Sequence, residues 1–363
     1  MTKMHMTFRW FGKSSDTVSL EQIRQVPGVE GIMGFLDYKG AGEVWGKDEI
    51  KAYIDQIHAH DLKCEVIESV NVHESIKLGT PDRDIYIANY ITTIENLASF
   101  GVKVIIYNFM PVIDWLRTDL NRIIPEDGSY SMYFDEKDIA GLGPLDMVGD
   151  MSRQGGGFSL PGWEPERMKE LKKVLDQYSD MDENRLLKNY RYFLDAIMPT
   201  CEKVGIKMAC HPDDPAWKLF GLPRIAYDRS GLEKIVKLND SPCNTLCLCT
   251  GSLASNPDND IPAMIEHFGA MGRISSVHIR NIKTLGYRHF RESAHFSADG
   301  DLDMYRIVKA THDFCPDAFI RPDHGRMIWG VKARPGYGLY DRAIGSNYLL
   351  GLWEAIDRME AGK

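Results

Sequence analysis

Eight short apolar runs, separated by stretches in which apolar residues recur with helical spacing, constrain the fold of this chain more than any other feature. The runs are rich in valine, isoleucine and aromatic residues and are apolar on both faces, like strands of a parallel sheet covered by helices. They span residues 6–12, 29–36, 64–70, 102–109, 206–211, 245–250, 275–282 and 319–324. The amphipathic segments include residues 47–60, 83–100, 183–204, 231–239, 263–271, 304–314 and 341–359. Strand and helix alternate, which predicts an α/β fold.

Eight βα units are the number that a closed (β/α)8 TIM barrel requires, so we predict that barrel, with residues 1–363 as one domain, rather than an open doubly wound sheet. Residues 111–181 separate the fourth strand from its helix and are rich in Gly, Pro, Asp and Tyr. An insertion after a strand lies at the catalytic face of a barrel, where it could act as a lid. Its Gly155-Gly156-Gly157 lacks the Gly-Lys-Ser/Thr ending of a phosphate loop and is more typical of a hinge.

Composition narrows the function classes. The formal net charge of −9 argues against binding to nucleic acid, which needs clustered Lys and Arg. Residues 1–10 carry charges where a signal peptide has an apolar core, and no run approaches the length of a membrane span. The seven cysteines form no CxxC pair, which favours reduced thiols. We expect a cytoplasmic protein with no membrane partner.

Metal-binding residue types stand at the ends of four successive predicted strands. The fifth strand ends at His211, the sixth reaches Cys249, the seventh carries His278 and the eighth runs through Asp323 and His324. Adjacent strands of a barrel end at the same rim, so these side chains would converge. A lone histidine at a strand end is more often structural, and a lone buried cysteine usually fills space. Four such residues on consecutive strands instead favour a metal site.

The choice of ligand and of metal depends on two further points. Asp323 and His324 point to opposite faces of a regular strand, so we choose Asp323 as the inward ligand and leave His324 as an acid/base residue or as a partner of a ligand. Nitrogen, sulfur and carboxylate donors suit Zn²⁺ or Fe²⁺, and Mn²⁺ is tolerated if water and substrate oxygens complete its coordination. On ligand type alone, the order of metal affinities argues against Mn²⁺.

Further polar and aromatic groups gather at the same rim. Arginine suits bidentate capture of a carboxylate and tryptophan offers a flat wall, although a structural role fits each arginine equally well. Tyr337 lies between glycines after the eighth strand, as a proton shuttle or as a packed surface residue. The remaining rim residues are Arg9, Trp10, Glu68, Asn108, Arg280, Asn281 and Arg321.

Five separated blocks, "CHPDDPAWKLFGLPRI", "LCTGSLASNPDND", "VHIRN", "FSADGDLD" and "IRPDHGRM", resemble the signature blocks of the mannonate dehydratase family of xylose-isomerase-like barrels. The resemblance extends from Phe8 to Met359. It implies dehydration of D-mannonate to 2-keto-3-deoxy-D-gluconate in glucuronate breakdown, with Mn²⁺ or Fe²⁺. It also implies the ligand role for the four strand-end residues His211, Cys249, His278 and Asp323. We further expect a homo-oligomer, a dimer.

Dehydration of a 2,3-dihydroxy acid removes the weakly acidic proton at C2 and expels the hydroxide at C3, so it needs a base, an acid and stabilisation of charge. We assign the acid and base roles to Tyr337 and His324, with Asp323 as a proton relay. The substrate-binding candidates are Arg280, as the carboxylate clamp, with Asn281, Trp10 and Asn108.

Three other functions compete with this assignment. A sugar isomerase or epimerase would share the barrel, but such enzymes rely on oxygen-rich carboxylate sites, often with two metals, whereas this site contains cysteine. A non-catalytic, metal-stabilised binding protein would have a closed coordination sphere. A metal-dependent abasic-site nuclease is disfavoured by the acidic charge balance.

Overall fold

A computed structural model describes residues 2–158 and 171–362. The strands in these residues are β1 (His5–Arg9), β2 (Gly31–Gly34), β3 (Lys63–Glu68), β4 (Val104–Tyr107), β5 (Asp119–Ile123), β6 (Tyr130–Asp135), β7 (Lys207–Cys210), β8 (Asn244–Cys249), β9 (Ile274–Ile279), β10 (Ile282–Gly286), β11 (His289–Glu292) and β12 (Phe319–Pro322). The helices are α1 (Leu20–Arg24), α2 (Lys47–His58), α3 (Glu74–Leu78), α4 (Arg83–Ala98), α5 (Pro144–Gln154), α6 (Leu171–Gln177), α7 (Glu183–Val204), α8 (Arg229–Leu238), α9 (Thr250–Ala254), α10 (Ile261–Ala270), α11 (Met304–Phe314) and α12 (Leu339–Glu360). Short 3₁₀ turns span Glu136–Ile139 and Ser297–Asp299.

Eight parallel strands close into a barrel in the order β1-β12-β9-β8-β7-β4-β3-β2. Each of the eight predicted apolar runs overlaps one of them, which confirms the predicted (β/α)8 architecture. All eight barrel strands end one to three residues earlier than predicted, so that His211 follows the last residue of β7 and Asp323 follows the last residue of β12. His211 and Asp323 therefore stand just beyond the ladder, whereas Cys249 and His278 lie at the carboxyl ends of β8 and β9.

Apolar side chains fill the barrel interior below the rim. All six residues of β9 are buried, as expected for a strand covered on both faces. A second, larger core lies between the strands and the surrounding helices. The interior cluster consists of Met33, Val66, Val104, Ile106, Ala209, Cys247 and Phe319. This packing leaves the rim as the place for polar chemistry.

Helix α7 shows how local sequence positions a strand of the site. Asp182 accepts a hydrogen bond from the backbone N–H of Arg185 and so caps the start of the helix. Gly205 ends the helix with a φ of 75°, a left-handed conformation that glycine adopts without steric cost. Strand β7 begins two residues later and leads directly to His211.

A second sheet is formed by two insertions and was not predicted. Strands β5 and β6 belong to residues 111–181, and β10 and β11 follow the seventh barrel strand, β9. They form an antiparallel sheet in the order β10-β11-β6-β5. The lid prediction for residues 111–181 falls partly on residues 159–170, which lie outside the described residues.

Two predictions from composition can be compared with the structure. All seven cysteines fall within the described residues, where each is a buried free thiol. Among the helices in residues 2–158 and 171–362, none combines the length and the apolarity needed to cross a lipid bilayer.

Candidate active site

A cleft of about 740 Å³ opens at the carboxyl ends of the barrel strands. Active sites of (β/α)8 enzymes lie at this end, where the loops after the strands meet. The wall of the cleft includes His211, Asp323, His324, Tyr337, Arg9 and Arg321. Two predicted metal ligands and both members of the predicted acid/base pair therefore face the same space.

Three of the four predicted ligands meet at the rim, where Asp323 lines the cleft and Cys249 and His278 are buried. The Sγ atom of Cys249 lies 3.5 Å from Oδ2 of Asp323. Cys249 also faces His278 in the register of β8 and β9. One donor atom from each of these three residues lies within 4.8 Å of the other two. Nitrogen, sulfur and oxygen donors are thus brought together.

His211 joins this cluster from the adjacent strand. Its ring centroid lies 5.2 Å from that of His278. Its Nδ1 lies 2.7 Å from the carbonyl oxygen of Pro212, which only accepts hydrogen bonds, so Nδ1 carries a proton and Nε2 is the nitrogen left to bind a metal. Burial lowers the pKa of His211, but a hydrogen bond with Cys249 and nearby negative charges raise it to about 9. A divalent cation would take the place of that additional proton.

A second thiol lies close to the two histidines. Donor atoms of His211, Cys247 and His278 also lie within 4.8 Å of one another. Cys247, however, belongs to the apolar cluster inside the barrel, and burial raises the pKa of its thiol well above the ordinary value. Cys249 instead lies beside Asp323 and accepts a hydrogen bond of 3.0 Å from Oγ of Ser252. Its polar surroundings make Cys249 the better ligand candidate.

The charge states of His278 and Asp323 suit metal binding. Burial, and then the charge of Arg321, lower the pKa of His278 well below its ordinary value, which favours the neutral imidazole. Burial raises the pKa of Asp323, but Arg321 and other nearby cations have the larger effect. The net pKa lies well below the ordinary value, so the group stays ionised. The Nε2 atom of His278 is buried without a hydrogen-bond partner among the described residues. A ligand role would relieve this cost, so the residues fit a divalent metal ion.

His324 and Tyr337 lie side by side at the wall of the cleft. Their ring centroids are 5.6 Å apart, and Tyr337 packs edge-on against Phe11 at 4.9 Å. Burial raises the pKa of Tyr337 to about 12, so the phenol keeps its proton at neutral pH. Burial lowers the pKa of His324 to about 4. The predicted acid/base pair is therefore adjacent and next to the ligand cluster.

A model of the D-mannonate dehydratase (UxuA) family matches residues 4–363 of the chain. The chain belongs to the mannonate dehydratase family. The mannonate dehydratase of Lachnoclostridium phytofermentans is 58% identical over 355 residues, which cover 98% of this chain and 99% of that relative. The crystal structure of mannonate dehydratase from Streptococcus suis serotype 2 has a TM-score of 0.89 at 41% identity, covering 99% of this chain and 96% of that one. A xylose isomerase domain protein from Planctomyces limnophilus, at 10% identity, 99% and 100% coverage and a TM-score of 0.55, shares the fold alone.

These matches confirm the family predicted from the sequence blocks, and with it the enzyme class, a carbon–oxygen hydro-lyase. They also confirm the xylose-isomerase-like barrel.

Arg280 does not face the cleft of this mannonate dehydratase family member. The side chain is fully buried, and its Nε donates to Oδ2 of Asp323 at 3.0 Å. Its Nη1 donates to Glu292 at 2.6 Å, and its Nη2 donates to Asp214 at 2.8 Å. Every guanidinium nitrogen is thus used within the protein, and this geometry does not favour the predicted role of Arg280 as the substrate's carboxylate clamp. Its place is behind Asp323, which it helps to hold.

Two other predicted substrate contacts are also turned away from the cleft. Asn281 is fully buried, donates to the carbonyl of Phe296 and accepts from the backbone N–H of Leu302, so it ties down a loop. Trp10 is buried and stacks on Tyr53 with a centroid distance of 5.4 Å. Neither residue lines the cleft, so this geometry does not favour a substrate contact for either.

Asn108 does line the cleft, and substrate binding by this residue stays a prediction. Its Oδ1 accepts from the backbone N–H of Met110 at 3.2 Å.

Three charged residues that the sequence placed at the rim without a specific role, Arg9, Glu68 and Arg321, also belong to the site. Arg9 and Arg321 line the cleft on either side of Glu68. Burial raises the pKa of Glu68, but Arg321 and other cations outweigh this effect and lower it to about 2. Arg321 precedes Asp323 by two residues, as the sequence indicated. Behind the site, Arg117 joins Asp214 and Glu292 in a buried ion network that no sequence pattern indicated.

Proposed function

We propose that this chain dehydrates D-mannonate to 2-keto-3-deoxy-D-gluconate and water, as a metal-dependent step of glucuronate breakdown in the cytoplasm. The proposed ligands of Mn²⁺ or Fe²⁺ are His211, Cys249, His278 and Asp323. The observation that carries the proposal is the convergence of nitrogen, sulfur and carboxylate donors on one cleft in a member of this family.

A divalent ion bound by these four residues would supply positive charge to stabilise the negative charge that develops on substrate oxygens. Neighbouring arginines hold the carboxylate of Asp323 in position to bind such an ion. Arg280 and Arg321 donate to the two oxygens of Asp323 at 3.0 and 2.7 Å, so both oxygens are oriented and the group stays ionised. Cys249 and His278 are fully buried beside this carboxylate.

Two proton transfers are needed, and two neighbouring side chains are suited to them. We assign the acid role to Tyr337, since burial raises its pKa to about 12 and the phenol carries a proton to donate to the departing C3 hydroxide. His324, beside it on the wall of the cleft, then takes the proton from C2. Loss of the C2 proton and of the C3 hydroxyl as water leaves an enol, which converts to the keto acid.

Because Arg280 does not line the cleft, we assign binding of the substrate carboxylate to arginines that do. Arg9 and Arg321 both line it, and Nη1 of Arg9 is buried without a hydrogen-bond partner among the described residues. Guanidinium groups bind carboxylates through paired N–H bonds. We therefore propose Arg9, aided by Arg321, as the carboxylate site. Asn108 and Trp115 line the same cleft, and we keep residues 111–181 as its proposed lid.

Product analysis tests this function directly. Purified protein is incubated with D-mannonate and Mn²⁺, and the reaction is followed by the absorbance of the 2-keto acid semicarbazone and by NMR. We expect one 2-keto-3-deoxy acid for each mannonate consumed. Formation of an isomeric sugar acid without loss of water would instead support an isomerase or epimerase and reject the proposal. The cytoplasmic location and the dimer stay predictions, which cell fractionation and light scattering can check.

A further inference from the structure

We propose that Glu292 is a positioning residue for His324, accepting a hydrogen bond from its Nδ1–H and so turning Nε2 toward the substrate. This inference rests on the proposed role of His324 as the base. Glu292 belongs to the second sheet, outside the barrel, and no pattern in the sequence pointed to it.

The contact between the two residues supports this role. Nδ1 of His324 lies 3.5 Å from Oε1 of Glu292. Nδ1 is buried and has no hydrogen-bond partner among the described residues, while the same histidine lines the cleft. A separation of 3.5 Å is long for a hydrogen bond, but catalytic hydrogen bonds are often long before substrate binds and tighten in the complex.

Glu292 is itself held rigidly. Oε1 accepts from Nε and Nη2 of Arg117 at 3.1 and 2.7 Å, and Oε2 accepts from Nη1 of Arg280 at 2.6 Å. Both arginines and the carboxylate are fully buried. Oε1, the oxygen nearest Nδ1 of His324, already accepts both bonds from Arg117, so the imidazole would share this oxygen with the guanidinium.

The second sheet gives this carboxylate its position. Glu292 pairs with Ile282 across β10 and β11, and its carbonyl accepts a hydrogen bond of 2.8 Å from Oγ of Ser131 on β6. Arg117 comes from the same insertion as β6. The two insertions therefore join behind His324 and fix the carboxylate that faces it.

The chemical consequence concerns the tautomer. A carboxylate beside Nδ1 stabilises the form that carries its proton there and leaves the lone pair of Nε2 free to accept the C2 proton. It also stabilises the imidazolium that this transfer produces. A carboxylate that only neutralised two arginines would have neither effect.

The test replaces Glu292 by glutamine, which has the same shape. Because the amide can donate to Nδ1, it favours the wrong tautomer. For Glu292→Gln we expect kcat on D-mannonate to fall about 100-fold, with KM changed less than about threefold and metal content unchanged. The primary isotope effect with C2-deuterated mannonate should rise, since proton removal becomes the slower step. A kcat within about threefold of wild type would overturn the inference.

A double-mutant cycle separates positioning from support of the fold. In a His324→Asn background, Glu292→Gln should cause no further loss of kcat. The matched variant is Asp214→Asn, because Asp214 also accepts from Arg117 and Arg280. Any loss that Asp214→Asn causes should persist in the same background. An equal loss from Glu292→Gln with and without His324 would mean a structural role and contradict the inference.

Two results keep the test decisive. If Glu292→Gln does not fold, Glu292→Asp retains the charge for both arginines but withdraws it from His324. We then expect kcat to fall about tenfold with the isotope effect raised, and full activity would overturn the inference. Near wild-type turnover of His324→Asn alone would instead show that the proposed base is wrong. A different outcome, in which Glu292→Gln is active and His324→Asn is inactive, would reject only the positioning role of Glu292.

Discussion

The Sγ atom of Cys249 lies 3.5 Å from Oδ2 of Asp323, although 74 residues separate them in the chain. The contact exists because β8 and β12 flank β9 in the barrel and deliver their last side chains to one rim. His278 comes from the strand between them. The contact places a sulfur and a carboxylate oxygen where both could bind one divalent cation.

The two thiols near the histidines should differ in their effect on metal binding. Cys249→Ala should lower the metal content of the purified protein and reduce kcat by at least about 100-fold, since even residues behind metal ligands affect affinity by 10–100-fold. Cys247 precedes Cys249 by two residues and lies in the apolar cluster inside the barrel, so Cys247→Ala should keep both the metal content and kcat. Elemental analysis and turnover of the two variants provide the comparison. Loss of metal from Cys247→Ala alone would exchange the two assignments.

Removal of the acid or the base should stop turnover without releasing the metal. Tyr337→Phe keeps the edge contact with Phe11, and His324→Asn keeps a polar side chain in place. We expect each to lower kcat by about 100-fold or more, the size of a general acid or base contribution. Metal analysis and thermal unfolding of the same samples serve as controls. If both variants retain metal and near wild-type kcat, the acid/base assignment is wrong.

Substitution of Arg9 should weaken substrate binding, whereas substitution of Arg280 should lower the stability of the fold. Arg9→Lys should raise KM for D-mannonate about tenfold with a smaller change in kcat, because a hydrogen bond to a charged group is worth about 1.5–3 kcal/mol. Arg280→Lys should lower the free energy of unfolding by about 3 kcal/mol, because lysine cannot serve three buried carboxylates at once. Steady-state kinetics and urea unfolding separate the two. A stable Arg280→Lys with raised KM would restore Arg280 as the clamp.

One pH effect on stability should arise far from the cleft. Burial lowers the pKa of His312, but hydrogen bonds with Asp313 and Asp357 outweigh it, and the net pKa is raised. A raised folded-state pKa stabilises below the unfolded value of about 6.5, and this contribution is lost as the pH rises through the folded-state value. His312→Gln should therefore destabilise the protein at pH 5.5 more than at pH 9.

Urea unfolding at the two pH values checks this effect. The control is His58→Gln on the exposed face of α2. Equal destabilisation of His312→Gln at both pH values would show that packing against Trp353, at a centroid distance of 4.8 Å, matters more than charge.

The barrel and the ligand cluster could be predicted because both follow from periodicity. Apolar runs mark strands, and strand ends mark the rim, so His211, Cys249, His278 and Asp323 needed only the order of the strands. Alternation also separates Arg9 from Trp10. It does not say which of them faces inward, because strands buried on both faces carry apolar residues on either side.

The charged residues behind the site could not be predicted in this way. Arg280 follows His278 by two residues and looked like a substrate contact, but its partners Asp214 and Glu292 come from loops and insertions. Sequence spacing does not specify how β11 pairs with β6, since the two strands lie in separate insertions. Only the folded arrangement shows that Arg280 is already paired on all sides.

Reconstitution of the metal-free protein tests the central claim most directly. The chain is stripped with a chelator and titrated with Mn²⁺ or Fe²⁺ under anaerobic conditions, while bound metal and 2-keto acid formation from D-mannonate are measured together. We predict no turnover without metal, and activity that rises with binding of one ion per chain and is lost in Cys249→Ala. Full turnover of the metal-free protein, or unaltered metal binding after replacement of Cys249, His278 and Asp323, would contradict the account.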